Sequence, residues 1–343
     1  MEHLFGKTLN ELTDLVLSLA LQKFSAKQIA DWLYKKNADS IEAMTNLSKA
    51  ARAQLSQKYD VGRVNPIDVA ISVDGTKKYL FKTSTGYIET AYIPDSERHT
   101  LCVSSQVGCK MGCRFCMTGR QGFQSNLTAG EIVNQMASIS ERELISNIVY
   151  MGMGEPMDNL DEVLKSVEIL TSDWGYAMSP RRITVSTIGV LPALKSFIER
   201  CEAHLAISLH SAKGAMRQEL MPSEKALPIQ ETIKLLRKYD WSGQRRLSFE
   251  YTLFDGVNDT IEDVRAICQL LNGLRCRINI IGFNPIPDSE LRGCSQEKME
   301  RFRNMLNDKG FTATVRNSKG GDISAACGLL STKEQVKAKN LSK

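Results

Sequence analysis

The 343-residue sequence has no run of about 18 apolar residues, so no membrane-spanning helix is expected. Its first residues, Met1-Glu-His-Leu-Phe-Gly-Lys7, lack a charged stretch followed by an apolar one; no secretory leader is expected, and a cytoplasmic setting follows. An excess of one charge is also missing. Lys plus Arg minus Asp plus Glu is 44 − 39 = +5, too small to demand a nucleic-acid partner and too positive to exclude one. With 42% hydrophobic and 24% charged residues, collagen-like, disordered and coiled-coil classes are excluded, and the length suits one large domain with an appendage, or two domains. A disulfide framework is absent too, because the nine cysteines are odd in number and irregularly spaced. In a reducing compartment, clustered thiols instead become candidates for metal ligation or chemistry.

The first sixty residues read as helical. Leu9, Leu12, Leu15, Val16 and Leu19 recur at helix spacing, Ser25 with Gln28 forms a capping box before Ile29, Trp32 and Leu33, and a third helix runs from Ser48 to about Lys58. Residues 1–64 carry nine Lys/Arg against seven Asp/Glu, so this cap is not a basic tail. From Val69 to Ile93, β-rich runs are separated by Asp74-Gly75 and by Ser84-Thr85-Gly86, the signature of a β-meander. Beyond Thr100, strands near Leu101, Asn147–Met151, Arg182–Thr187, His204–Leu209, Arg246–Leu253 and Arg277–Phe283 alternate with helices beginning after Thr128, Asn159, Pro192, Ile229, Thr260 and Ser295. Six β/α units predict an α/β fold with an open six-unit partial barrel or a doubly wound sheet. The expected division is 1–62 helical domain, 63–97 meander linker, 98–320 barrel and 321–343 C-terminal segment. Residues 301–343 carry nine Lys/Arg against three acids, concentrating positive charge at that end.

The strongest signal is Cys109-Lys-Met-Gly-Cys113-Arg-Phe-Cys116, directly after the first strand of the alternating region. A short glycine-containing loop can supply three thiolates to a cubane iron–sulfur cluster and leave the fourth iron open for a ligand. The competing reading is a zinc site with Cys102 as fourth ligand, in a zinc-stabilised RNA-binding protein without catalysis. Cysteines 201, 268, 276 and 294 fall in or near periodic segments and read as buried small hydrophobes.

The C-x3-C-x2-C spacing with Phe115 before the last cysteine resembles the radical S-adenosylmethionine (SAM) enzymes. That resemblance implies a 4Fe-4S cluster on Cys109, Cys113 and Cys116, with SAM chelating the open iron. In a barrel, chemistry gathers at the C-terminal strand ends, and polar residues recur there. Met151-Gly-Met-Gly154-Glu155-Pro156 follows the second strand, where glycine lets backbone approach a ligand and Glu155 can accept from an ammonium. Ser186-Thr187 ends the third strand, Ser208-Leu209-His210 the fourth and Asn284-Pro285 the sixth. The resemblance implies that Gly154, Glu155, Ser186, Ser208, Leu209, His210 and Asn284 bind SAM.

Together with Cys102-Val-Ser-Ser-Gln-Val-Gly-Cys109, Ser186-Thr-Ile-Gly189, Ala325-Ala-Cys327-Gly and Thr45-Asn-Leu-Ser48, these motifs resemble the RlmN/Cfr family of radical SAM adenosine methyltransferases over nearly the whole chain. Pro156 favours the RlmN branch, which methylates carbon 2 of adenosine in 23S rRNA and in tRNA beside the anticodon. The alternative is Cfr-like methylation of carbon 8, conferring antibiotic resistance. Ser223-Glu-Lys-Ala-Leu227 departs from the family pattern. Cys327 lies in a small-residue loop that packing does not explain, and access is what makes a thiol reactive. The resemblance makes Cys327 the methyl carrier, Cys102 the thiol that pairs with it in a transient disulfide, and Glu89 the proton acceptor, with two SAM molecules consumed per turnover. Read from the strand pattern alone, Glu89 is a residue on a polar face. The implied partners are 23S rRNA, tRNA and an electron donor such as flavodoxin; a monomer is expected because no exposed apolar repeat suggests a partner surface.

Overall fold

The computed structural model describes residues 1–332. Short strand β1 (Glu2–His3) pairs in parallel with β2 (Tyr59–Asp60), closing the ends of a helical cap. Between them lie α1 (Leu9–Ser18), α2 (Ser25–Ala30) and α3 (Lys49–Ser56). The capping box expected at Ser25 is not formed: Ser25 is buried inside the helix, and Phe24 caps it without a side-chain bond. The box sits instead at Thr8 and Glu11, whose side chain and backbone bond reciprocally at the start of α1. Ser48 caps α3 as expected.

The meander forms β3 (Asp68–Ile71), β4 (Lys77–Lys82) and β5 (Tyr87–Ile93), antiparallel and turning at the two glycine-containing sites. It continues into the main sheet through antiparallel pairing of β5 with β6 (Thr100–Cys102). A hairpin of β7 (Gln106–Gly108) and β8 (Phe123–Asn126), with α4 (Met117–Gln121) between them, stands apart from that sheet; the sequence pattern did not reveal it. Then follow α5 (Ala129–Ala137), β9 (Asn147–Tyr150), α6 (Leu160–Thr171), β10 (Ile183–Thr187), α7 (Leu191–Arg200), β11 (His204–Ser208), α8 (Gly214–Leu220) and α9 (Ile229–Leu236). The remaining elements are β12 (Leu247–Leu253), α10 (Ile261–Leu271), β13 (Arg277–Gly282), α11 (Gln296–Asp308) and β14 (Thr312–Arg316).

The main sheet is open and ordered β14-β13-β12-β11-β10-β9-β6-β5-β4-β3, with parallel pairing from β14 through β6. The six β/α units of the open α/β barrel are present, and β14 adds a seventh parallel strand. The larger helices pack against one another in chain order, α5 on α6, α6 on α7, α7 on α9, α9 on α10 and α10 on α11. Wholly buried Val185, Leu205, Ile207, Phe249 and Ile280 fill the core beneath them, each worth roughly 1.5–3 kcal/mol of burial. The same core runs without a break into the cap residues Leu12, Ile29 and Leu33. Close approach of the cap to α5 requires Gly6 and Gly130, since a Cβ on Gly6 would lie 2.4 Å from the Gly130 backbone.

Candidate active site

Parallel pairing puts the C-terminal ends of β9 to β13 on one side, where they surround a cavity of about 170 Å³. Its walls include Cys109, Cys113 and Cys116, Gly154 and Glu155 after β9, Ser186 on β10, Ser208 and His210 at the end of β11, Asn284 after β13, and Cys327.

The three cysteines occupy the loop between β7 and α4. Cys109 N–H donates to Gly122 O at 3.1 Å and Cys116 N–H to Cys113 O at 3.1 Å, which folds the loop back on itself. Burial, reinforced by Glu155, Cys116 and Asp158, pushes the Cys109 thiol up to about 12; burial and the two neighbouring thiols hold Cys113 well above its ordinary value. Such thiols ionise only beside a cation, so binding a metal centre here would expel protons. Tetrahedral zinc, with bonds of about 2.3 Å, draws its thiolates to within roughly 4 Å of each other. Among the described residues the one trio of potential ligand atoms within 4.8 Å of one another is Asp255, Asp259 and Cys294, outside this cavity and bridged by Lys298. Three thiols from one short loop beside an open cavity suit a cubane cluster whose fourth iron takes an external ligand.

Gly154 has φ +103°, and a Cβ there would sit 2.5 Å from Gln106 Cβ. That contact matters because Gln106 Oε1 accepts the Glu155 N–H at 2.8 Å. Glu155 is buried, its Oε1 accepting from Met157 N–H and its Oε2 from Ile188 N–H, each at 3.0 Å. Burial raises its carboxyl to about 7. With lone pairs remaining, it can still accept from a ligand ammonium, which would restore its ionised form.

His210 is buried at φ +52°, and its Nδ1 accepts the Thr252 N–H at 3.0 Å, so Nε2 carries the proton. Burial and then the Arg217 cation lower it to about 3, leaving a neutral ring with Phe115 edge-on at 4.7 Å. Leu209 is not part of the wall: its side chain is in the core and its carbonyl accepts from Arg217 Nε at 3.0 Å. Asn284 Nδ2 donates to Cys327 O at 3.2 Å.

Cys327 is carried in by the segment after β14. Gly328 O accepts Met117 N–H at 2.7 Å, Leu330 O accepts Thr118 Oγ1–H at 2.7 Å, and Ser331 N–H donates to Glu89 Oε2 at 2.9 Å. Its thiol is exposed toward the cavity, yet surrounding protein and then Glu250 push its pKa up, against the lowering effect of Arg316. Cys102 is buried on β6 beside Ala91 and Ala325, its pKa raised by burial and then by Cys327, so the two thiols are electrostatic neighbours. Neither Cys102 nor Glu89 lines the cavity. The polar-face reading of Glu89 is corrected: it is wholly buried and paired with Lys78 Nζ at 2.9 Å. Cys201 is buried as expected, but Cys268, Cys276 and Cys294 are only half-buried.

The sequence reading missed Glu250 and Thr252, which reach the wall from β12. Their signal was the alternation Ser248, Glu250, Thr252 in a strand otherwise apolar. Arg217 was missed as well. It is wholly buried, donating to Leu209 O, to Ser208 O at 2.8 Å and to Ile188 O at 3.1 Å, and paired with Glu224. Of the C-terminal cations, Lys333, Lys337, Lys339 and Lys343 lie outside the described residues.

The radical SAM superfamily profile matches residues 103–271, and that of the ribosomal RNA large subunit methyltransferase N-terminal domain, RlmN_N, matches residues 2–61. A probable dual-specificity RNA methyltransferase RlmN from Phocaeicola vulgatus is 53% identical over 339 residues, covering 98% of this chain and 97% of the relative. The chain belongs to the RlmN family of radical SAM enzymes. A dual-specificity RNA methyltransferase RlmN from Syntrophotalea carbinolica is 43% identical, covering 96% of this chain and 89% of that one. The crystal structure of a radical SAM methyltransferase from Sphaerobacter thermophilus superposes with a TM-score of 0.90 at 40% identity, covering 96% and 99% of the two chains. Membership implies a 4Fe-4S cluster and SAM, against the zinc reading. No helix among the described residues is long and apolar enough to cross a membrane.

Proposed function

We propose that this enzyme methylates carbon 2 of adenosine in 23S rRNA, at the peptidyl transferase centre, and in tRNA, beside the anticodon. The observation that carries this reading is Cys327 in the wall of the same cavity as Cys109, Cys113 and Cys116. The three cysteines would hold the 4Fe-4S cluster, while Gly154, Glu155, Ser186, Ser208, the Leu209 backbone, His210 and Asn284 would bind SAM. When bound, cluster and SAM supply an electrophilic methyl group and, by one-electron cleavage of a second SAM, a hydrogen-abstracting radical.

Carbon 2 of adenine is electron-poor and does not attack a sulfonium methyl, which gives Cys327 its role. Its sulfur, losing a proton, attacks the methyl carbon of the first SAM, S-adenosylhomocysteine leaves, and Cys327 becomes a methyl thioether. Loss of a hydrogen atom from that S-methyl group leaves a carbon radical on the side chain, which adds to carbon 2. The ring hydrogen departs as a proton to Glu89, for which the Ser331 amide now bonded to Glu89 must give way, and the adduct's surplus electron would pass back to the oxidised cluster. Cys102, giving up its proton, then attacks the Cys327 sulfur; the sulfur–carbon bond breaks with its electron pair on the departing carbon, which takes up a proton to become the methyl group, and methylated RNA leaves a disulfide that an external reductant resets. A donor such as flavodoxin would feed the cluster of a monomeric, cytoplasmic enzyme. In the division of labour, residues 1–62 contact RNA, 63–97 link, 98–320 form the barrel and 321–343 deliver Cys327.

The test is mass spectrometry of nucleosides from rRNA and tRNA treated with the reconstituted holoenzyme, SAM and reductant. We expect 2-methyladenosine with the native chain and none with C327A. Finding 8-methyladenosine instead, or full methylation by C327A, would overturn the assignment.

A further inference from the structure

The opposite ends of the parallel strands converge on a second cleft, of about 590 Å³. Residues at or before the N-terminal ends of all seven parallel strands contribute to it, among them Arg98, Arg181, Arg182, Arg246, Arg275 and Arg277. Among the described residues no Asp, Glu or Lys lines it. We propose that this arginine cleft is a second RNA-binding site, gripping phosphodiester groups of the substrate on the face opposite the cavity that holds Cys327. The inference rests on RNA being the substrate.

Its arginines are not there to hold the barrel together. Among the described residues, none of the six guanidinium groups lies within 4.0 Å of a carboxylate, whereas Arg63 and Arg217 each pair with an acid. Asp95 and Asp240 act on Arg98 and Arg275 only from a distance. Among the described residues Arg182 alone of the six donates a side-chain bond, to Asn147 Oδ1 at 3.4 Å. Arg245 shows what a structural arginine looks like in the same cleft: it donates to Ala203 O at 2.9 Å and Ile198 O at 2.8 Å and lies over the Phe197 and Trp241 rings. The field of the cluster is felt at His204, whose Nδ1 accepts the Arg246 N–H at 2.9 Å; burial and then four of the cleft's arginines lower it to about 4. Like charges gathered in a concavity repel one another, and a bound anion relieves that repulsion.

The chemistry of the anion follows from the side chains. Planar guanidinium forks match phosphate oxygens two at a time, and arginine predominates where such recognition is needed. The arginines precede β6, β10, β12 and β13, five strand intervals of about 4.8 Å from end to end, so they spread over an arc of roughly 24 Å, suited to successive phosphates of a strand rather than a single phosphate. The two sites share their strands: Leu247 lines the cleft and Glu250 the cavity, His204 the cleft and Ser208 the cavity, so three to four residues, roughly 10–13 Å, separate their walls.

The experiment compares binding of a labelled tRNA transcript to native holoenzyme and to R181Q/R246Q/R277Q between 0.1 and 0.3 M salt. These three exposed side chains donate no hydrogen bond among the described residues, and a thermal melt, cluster absorbance and SAM affinity verify that the variant is folded and loaded. We expect affinity to fall at least tenfold, with the slope of log K against log salt smaller by about 2, each phosphate contact being worth about 0.7–0.9. A control variant, K195Q/K234Q/R265Q on the outer helices, should keep native affinity. Unchanged tRNA affinity and slope in R181Q/R246Q/R277Q overturns the proposal. If that variant instead loses only binding of inorganic triphosphate, the cleft serves a free oligophosphate and the RNA assignment falls. A native holoenzyme that binds SAM but retains no tRNA overturns the RNA-substrate reading itself, and this inference with it.

Discussion

Arg217 offers the sharpest link between stability and the active site. It stands on α8, and three of its bonds reach the carbonyls of Ile188, Ser208 and Leu209 at the ends of β10 and β11. Glu224 neutralises it and also accepts the Ile229 N–H at the start of α9, at 3.1 Å. R217M strips the cation from a buried carboxylate, a change costing about 3–5 kcal/mol. At roughly 2 °C per kcal/mol for a chain of this size, the melting temperature should fall by about 6–10 °C. R217M/E224M replaces the whole pair with apolar volume and should recover about half of that loss or more, since a buried pair and its apolar substitute are often nearly equal in stability. Recovery of binding should not follow. Both variants remove the guanidinium that ties the Ile188, Ser208 and Leu209 carbonyls together at the strand ends, so SAM affinity, measured calorimetrically on the holoenzyme, should drop about tenfold in each, or about 1.4 kcal/mol. If the double variant melts as low as R217M, or if R217M binds SAM as the native chain does, Arg217 does not couple the pair to the strand ends.

The remaining expectations concern neighbouring groups. His210 is neutral when folded, with a pKa of about 3, and its ordinary value near 6.5 applies when unfolded; its contribution is therefore intact above pH 6.5 and lost as pH falls toward 3. Denaturant titrations should show a loss of about 2 kcal/mol from this site between pH 7 and 5 that H210N removes; an unaltered slope in H210N would refute the assignment. G154A forces Gln106 aside and strains φ +103°, so calorimetry should register SAM affinity at least tenfold weaker, while native affinity would show the close approach to be dispensable. C102A should trap RNA on Cys327 as a covalent adduct resistant to denaturing gels; multiple turnover without adduct would remove Cys102 from the release step.

The cysteine loop and the strand-end motifs were legible because each is local: Cys109, Cys113 and Cys116 span eight residues, and Gly154-Glu155 or Ser208-Leu209-His210 follow directly from a recognisable strand. Residues whose partners are remote in sequence gave no such signal. The segment Ser223-Glu-Lys-Ala-Leu227 looked only like a departure from a family pattern, although Glu224 within it is the counter-ion of Arg217. Glu89 read as polar because alternation cannot distinguish a solvated position from one buried opposite Lys78. The arginine cleft is the extreme case: its residues are scattered from 98 to 277, so no window shows a basic run and the modest net charge conceals it. Parallel strands explain why such dispersed residues meet. Every strand brings its beginning to one face and its end to the other, so the same register that gathers thiols, carboxylates and hydroxyls around Cys327 must gather whatever precedes each strand at the opposite pole. In this chain what precedes them is repeatedly arginine, and like charges gathered there without a carboxylate partner among the described residues repel one another. The relief has to come from an anion, and a nucleic-acid substrate large enough to reach both poles is the anion that the chemistry at Cys327 calls for.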